Sequence, residues 1–186
     1  MKMHGEAGMA MGAGLAARGD VGLGAGAGTR YAVECVGADG AVKWRAEFDN
    51  LVVTAGLNEL LDKTFKGSGY TAAWYVGLAA GTPTFAAGDT MASHAGWTEV
   101  TAYTEGTRQA LTPGTVAAGS VSNSASKAVF SVNGTATVGG AFLATVNTKG
   151  GTTGTLYGGG AFAEGNRSVV SGDTLNVTLT LTVTAS

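Results

Sequence analysis

Charge is the first thing this chain is short of. Only 13% of its 186 residues are Asp, Glu, Lys or Arg, about half the ~25% of an ordinary soluble domain. The formal net charge of -2 supplies no basic field to hold phosphates, which argues against a nucleic-acid partner bound through bulk electrostatics. Cysteine is nearly absent too. Cys35 stands alone, so no intrachain disulfide framework exists, and it is expected to be a small buried hydrophobe in a strand over residues 31–36. Long apolar runs are missing. No stretch approaches the ~18 residues that a membrane-spanning helix needs, and glycine breaks up the segment after Lys2 as far as Gly28, so neither a secretory signal nor a membrane partner is expected. These absences lead us to expect a protein made and first held in the cytoplasm.

Catalytic and metal-binding vocabulary is equally thin. There are two histidines, His4 and His94, and neither HExxH nor CxxC occurs, so no cofactor and no metal is expected. Asp89, His94 and Glu99 form no recognised metal spacing, and Ser93 beside His94 makes no triad, since a triad is assembled in space. Glu99 and Glu105 lie near Trp97 and Tyr103, aromatic residues able to stack a saccharide. In an extended strand, however, those carboxylates would stand roughly 20 Å apart at ~3.3 Å per residue, too far for glycosidase chemistry without a bend. GAGAG and GGTTG lack the Lys-Ser/Thr and the strand-to-helix setting of a phosphate loop. Arg18-Gly19-Asp20 is a three-residue match of the kind that arises by chance. Trp44 and Trp74 are expected in the core; Trp97, which follows a loop, is left open.

Glycine, alanine and threonine are what the chain does have. Residues 1–28 are mostly glycine and alanine with four of the five methionines. Glycine at that density costs too much entropy for a free-standing element, so this segment reads as an extended arm lying on a partner. Met3, Met9, Met11, Leu15, Val21 and Leu23 are its anchoring residues. Residues 29–186 read as one mainly β domain, an antiparallel β-sandwich or jelly roll with one helix. TRYAVECV and AVKWRAEF flank GADG and predict a hairpin. TAGLNELLDKTF predicts the helix, with Thr54 as cap, Glu59 and Lys63 as an i,i+4 pair, and Leu57, Leu60, Leu61 and Phe65 as the face packed on a sheet. AAWYVGLAA suits a strand covered on both faces. WTEVTAYT, RQALT, AVFSVN, TATVGGAFLATV, TLYGGGAF and SVV read as further strands between turns.

Two patterns point toward an interaction surface. GGAF occurs at 139–142 and again at 159–162; facing strands of one hairpin would carry both, and such glycines mark bulges, sharp sheet curvature or the close arrival of another backbone. Gly139, Gly140, Phe142, Gly159, Gly160 and Phe162 are therefore expected to form a second partner contact. In NVTLTLTVTAS, Val177, Leu179, Leu181 and Val183 alternate with Thr178, Thr180, Thr182 and Thr184, which gives a strand with one apolar and one threonine side. An uncharged outward face suits contact with other protein.

From FDNLVVTAGLNELLD through WYVGLAAGTPTFAAGDTMASHAGWTEV and SVSNSASKAVFSVNGTATVGGAFLATV to SGDTLNVTLTLTV, roughly residues 48–183, the wording resembles small structural proteins of tailed bacteriophages. Residues 1–28 lie outside the resemblance. It implies a virion component of the capsid cement or decoration type with a sandwich or jelly-roll fold. Its partners would be the major capsid protein and copies of itself, and it would carry no enzymatic activity. A rival expectation is a tail, fibre or head-fibre module that binds host glycans through Trp97 and Tyr103; the weakest is a small hydrolase using Glu99 or His94.

Overall fold

The computed structural model describes residues 25–66, 69 and 72–185. They form a mainly β structure of antiparallel sheets with one helix. The first sheet has the order β2-β1-β11-β6, with β7 also paired to β11. Its strands are β1 (Ala25–Val36), β2 (Val42–Asp49), β6 (Ser120–Ser122), β7 (Ala128–Ser131) and β11 (Thr174–Ala185). The second sheet runs β3-β9-β8-β4-β5 with β10 on β8. It is built from β3 (Leu51–Val52), β4 (Tyr75–Ala80), β5 (Gln109–Ala110), β8 (Ala136–Ala144), β9 (Leu156–Ala161) and β10 (Arg167–Val169). Helix α1 (Thr54–Phe65) follows β3.

One core lies between the sheets. Alternation sends Tyr31, Val33 and Cys35 of β1, Phe48 of β2 and Leu175, Val177 and Leu179 of β11 to the same side. There they meet Val76 and Leu78 of β4, Ala141 and Leu143 of β8 and Tyr157 of β9. Tyr31 stacks on Phe48 with ring centroids 4.9 Å apart. Burial pushes the Cys35 thiol up to about 11, with the Asp173 carboxylate adding to the shift, so the lone cysteine is a buried, protonated side chain as its strand position predicted.

A second, smaller core covers the other face of the second sheet. Phe142, Ala144 and Leu156 pack there against Val53, Met91 and Trp97, with Ala55 and Phe85 alongside. Sheet residues buried on both faces explain why AAWYVGLAA and the β8 sequence are nearly continuous apolar runs.

Four expectations need correcting. The strand pattern of TRYAVECV begins earlier, at Ala25, within the segment assigned to the arm; Ala25 to Val36 pair with Ala185 to Thr174 along all twelve residues. WTEVTAYT is not a strand. It is an irregular segment held by isolated bridges, Ala79 to Glu99 and Tyr103 to Val132. Thr54 is not the helix cap: Val53 holds that position and no side chain caps the helix. Nor does the leucine stripe as a whole seat the helix, although Leu60 packs against the main core. Leu57, Leu61 and Phe65 are exposed, Phe65 at 80%, whereas Gly56 is the buried helical residue. A Cβ on Gly56 would stand 2.3 Å from the Tyr157 carbonyl oxygen, so the missing side chain sets which side of α1 meets β9.

Candidate interaction surface

The residues predicted for chemistry and contact are distributed by this fold in ways the sequence did not announce. The hairpin comes first. β8 pairs with β9, which places Phe142 opposite Gly159 and Ala141 opposite Gly160, so the two GGAF segments do face each other. All six candidates, Gly139, Gly140, Phe142, Gly159, Gly160 and Phe162, are buried within the chain itself. A Cβ on Gly139 would strike the Gly81 carbonyl oxygen at 1.7 Å, one on Gly140 the Gly160 oxygen at 2.1 Å, and one on Gly160 the Asp49 oxygen at 2.5 Å. The Phe142 ring lies across Gly77 and the Phe85 ring across Gly159, each 2.2 Å from where a Cβ would sit. The glycines therefore admit the chain's own backbone and rings, and the hairpin offers none of them to a partner.

Trp97 and Tyr103 are likewise corrected. Trp97 is only 4% exposed, enclosed by Phe85, Phe142 and the His94 ring stacked 3.8 Å away, with its indole N–H donated to Asp89. Tyr103 is buried edge-on to Phe130 and covered by the Lys149 ammonium 4.3 Å above its ring. Burial drives its hydroxyl pKa upward, assisted by the Glu99 charge. Neither ring has a free face for a sugar.

The acidic residues nearby are engaged as well. Arg108 is 1% exposed and grips Glu99 with both ends of its fork, at 3.0 Å from Nε and 2.7 Å from Nη2. It also donates to the carbonyls of Val146 and Gly151 at 2.9 and 2.6 Å, while the Gly150 N–H donates to the same carboxylate at 2.9 Å. Glu105 accepts the Ser131 N–H. His94 Nδ1 lies 3.0 Å from the Trp97 carbonyl oxygen, an acceptor only, which fixes the ring proton on Nδ1. His94, Trp97 and Glu99 line a depression with Gly150–Thr152. Among the described residues no group of His, Cys, Asp or Glu is placed to hold a metal ion.

What remains open to solvent is the outer face of the first sheet. Inward alternation of Leu175, Val177 and Leu179 leaves Thr178, Thr180 and Thr182 on the outer side, half-buried in their own sheet. The register sets Thr178 beside Ala32, Thr180 beside Arg30 and Thr182 beside Gly28. A Cβ on Gly28 would meet the Thr182 hydroxyl at 3.3 Å, so glycine keeps this part of the face low. Charge on this face lies on β1 and β2 and is paired there, Arg30 of β1 with Glu47 at 2.7 Å and Asp49 at 3.4 Å and Glu34 of β1 with Arg45 at 2.6 Å. The exposed Lys127 beside β7 lines a shallow depression with Asn176 and Thr178. The β11 stripe of the face is thus threonine with Gly28 and Ala32 beside it, and Arg30 and Glu34 of β1 stand next to that stripe, opposite Thr180 and Asn176, as members of internal ion pairs. The pairing of Arg30 with Glu47 and Asp49 and of Glu34 with Arg45 was not read from strand alternation.

The arm candidates Met3, Met9, Met11, Leu15, Val21 and Leu23 lie outside the described residues. Among the described residues no helix is long and apolar enough to cross a membrane. Compared with protein families, with curated proteins and with solved structures, the chain finds no match in any of the three.

Proposed function

We propose that this chain is a non-enzymatic structural protein of a tailed-phage virion, made in the host cytoplasm, which binds the outside of the capsid and cements contacts between major capsid protein subunits. The observation that carries this reading is the outer face of the first sheet. A surface of threonine, glycine and alanine loses few strong water contacts on burial, and its methyls and hydroxyls approach another flat surface closely. The Arg30 and Glu34 charges of β1 are paired within the chain with Glu47, Asp49 and Arg45, which lowers the cost of covering them. Lys127 beside Thr178 is a charge that a docked partner would have to meet. Each such contact is weak, and a symmetric shell that presents the same seam many times converts weak contacts into firm attachment. The resemblance of residues 48–183 to small phage virion proteins supports the same reading, with residues 1–24 supplying a further anchor.

The glycan-binding alternative rested on Trp97 and Tyr103, whose rings are enclosed, and no other observation favours it. Quantifying copies per purified particle separates the two. A cement protein approaches the abundance of the major shell protein; a tail or fibre module is scarce. In add-back to stripped shells, a Thr178→Lys/Thr180→Lys variant is expected to melt like the wild type yet lose occupancy. Full occupancy by that variant, or a scarce protein, sinks the proposal.

A further inference from the structure

Strand β1 is paired unequally along its two edges. On the β11 side the ladder is continuous from Ala25 to Val36. On the other side β2 reaches only to Arg30, opposite Asp49, and a last bond joins the Asn50 N–H to the Thr29 carbonyl at 2.8 Å. That bond fixes the orientation of what precedes it. In an antiparallel strand, a residue's N–H and C=O point to the same side and alternate residues point oppositely. With Thr29 facing the β2 side, Ala27 and Ala25 face it too, and Gly26 and Gly28 face β11. Among the described residues, no strand takes up the Ala25 and Ala27 backbone groups.

Natural edges are usually guarded by charge, proline or a bulge. β2 follows the rule, with Lys43, Arg45, Glu47 and Asp49 alternating along it. The open part of β1 does not: residues 25–29 read AGAGT and their partners 181–185 read LTVTA, with no charge and no proline in either. The apolar side of this ribbon also runs out of cover. Leu175, Val177 and Leu179 are fully buried, Leu181 is half-buried and Val183 is 59% exposed. Among the described residues, backbone donors, backbone acceptors and an apolar stripe thus run out of partners at the same place.

We infer that this edge adds a strand, and that the strand is the same segment of a second copy. Two copies related by a two-fold axis necessarily pair antiparallel, in the manner of isologous interfaces. The sequence suits such self-pairing because no like charges would be set opposite one another across the junction, while a charged partner strand would find no counter-ion there. The second copy extends the first sheet across two molecules and sets the exposed Val183 stripes at the junction. The inference does not rest on the capsid reading, since it concerns the isolated protein.

The test is the mass of the full-length chain by sedimentation over a concentration series, with amide hydrogen exchange of residues 25–29. Expected are a dimer and concentration-dependent protection of the Ala25 and Ala27 amides. Ala27→Pro deletes an edge-facing N–H without removing a β11 bond, and Ala27→Lys installs a guarding charge should the proline variant fold poorly. Each is expected to weaken dimerisation at least about tenfold, as for loss of a hydrogen bond plus its neighbours' contacts, while the melting temperature of the monomer stays put. A monomeric wild type up to about 100 μM overturns the inference. So does a dimer indifferent to both substitutions, or protection at Ala27 that does not change with concentration, which would mean that the chain's own residues cover the edge.

Discussion

Replacing Arg108 with methionine tests how the irregular segments around Glu99 and Gly150 are held. Residues 97–108 and 145–155 form few ladder bonds of their own, and the Arg108 fork joins them. Methionine keeps the apolar stem near Phe142, whose ring lies 5.1 Å below the guanidinium, but it strands three acceptors. Glu99, whose side chain is 7% exposed, keeps only the Gly150 N–H; the Val146 and Gly151 carbonyls lose Arg108 as a donor. A buried carboxylate robbed of its counter-ion puts the loss at about 3–5 kcal/mol, to which the two carbonyls add little because Val146 and Gly151 are half-buried and water can reach them. For a chain of this size that is a fall in melting temperature of roughly 6–20 °C. Urea unfolding followed by far-UV circular dichroism reads the midpoint shift at constant m-value. The Glu99→Leu/Arg108→Met double variant should recover part of the loss, because it no longer buries an unpaired charge. If Arg108→Met costs less than about 1 kcal/mol, the pair is a surface-like ornament and the reasoning fails.

Gly56→Ala would ordinarily stabilise a helix by about 0.5–1 kcal/mol; here the new methyl meets the Tyr157 backbone at 2.3 Å, so denaturant unfolding is expected to show a loss of about 1–3 kcal/mol. A gain would mean that α1 does not seat on β9 as described. The second expectation concerns acid. Burial acts to raise the Asp173 carboxyl pKa, but the Lys43 ammonium at 2.6 Å and the Val170 N–H outweigh it and hold the group below its usual range. A depressed folded pKa gives stability that is fully present above the unfolded value near 3.9 and is lost as pH falls through the folded one. Asp173→Asn should therefore flatten the acid limb of the stability curve below about pH 4 and lower the plateau above it; an unchanged acid limb in the variant contradicts the assignment.

The regular strands were legible in sequence. The leucine-threonine alternation of β11, the β1–β2 reversal at Gly37–Gly40 and the doubly covered run of β4 all follow from local periodicity. WTEVTAYT shows why periodicity can mislead. Val100 and Tyr103 are buried, yet Glu99 turns inward to Arg108 and breaks the alternation, an event decided nine residues away. The helix misled for a related reason: of four large apolar residues on one side, Leu60 alone packs on the core, and a glycine brings the helix closest to the sheet. Gly139, Gly159 and Trp97 read as contact residues because their neighbours Gly81, Phe85 and Pro83 come from a loop more than fifty residues earlier or about a dozen earlier, and no pattern in the sequence announces that docking. The threonine face needed no tertiary information, since strand alternation alone placed it.

The pairing of Ala25 with Ala185, at one end of twelve consecutive β1–β11 partners, has a mechanical side. Tension applied to both strands from that end would peel the ladder one rung at a time and give way at low force. Tension on β1 alone, with the rest of the sheet held flat, would load its rungs to β11 and β2 together in shear. A tether leaving through β1 from a fastened sheet is therefore tough along its length and easily unzipped only when β11 is pulled with it.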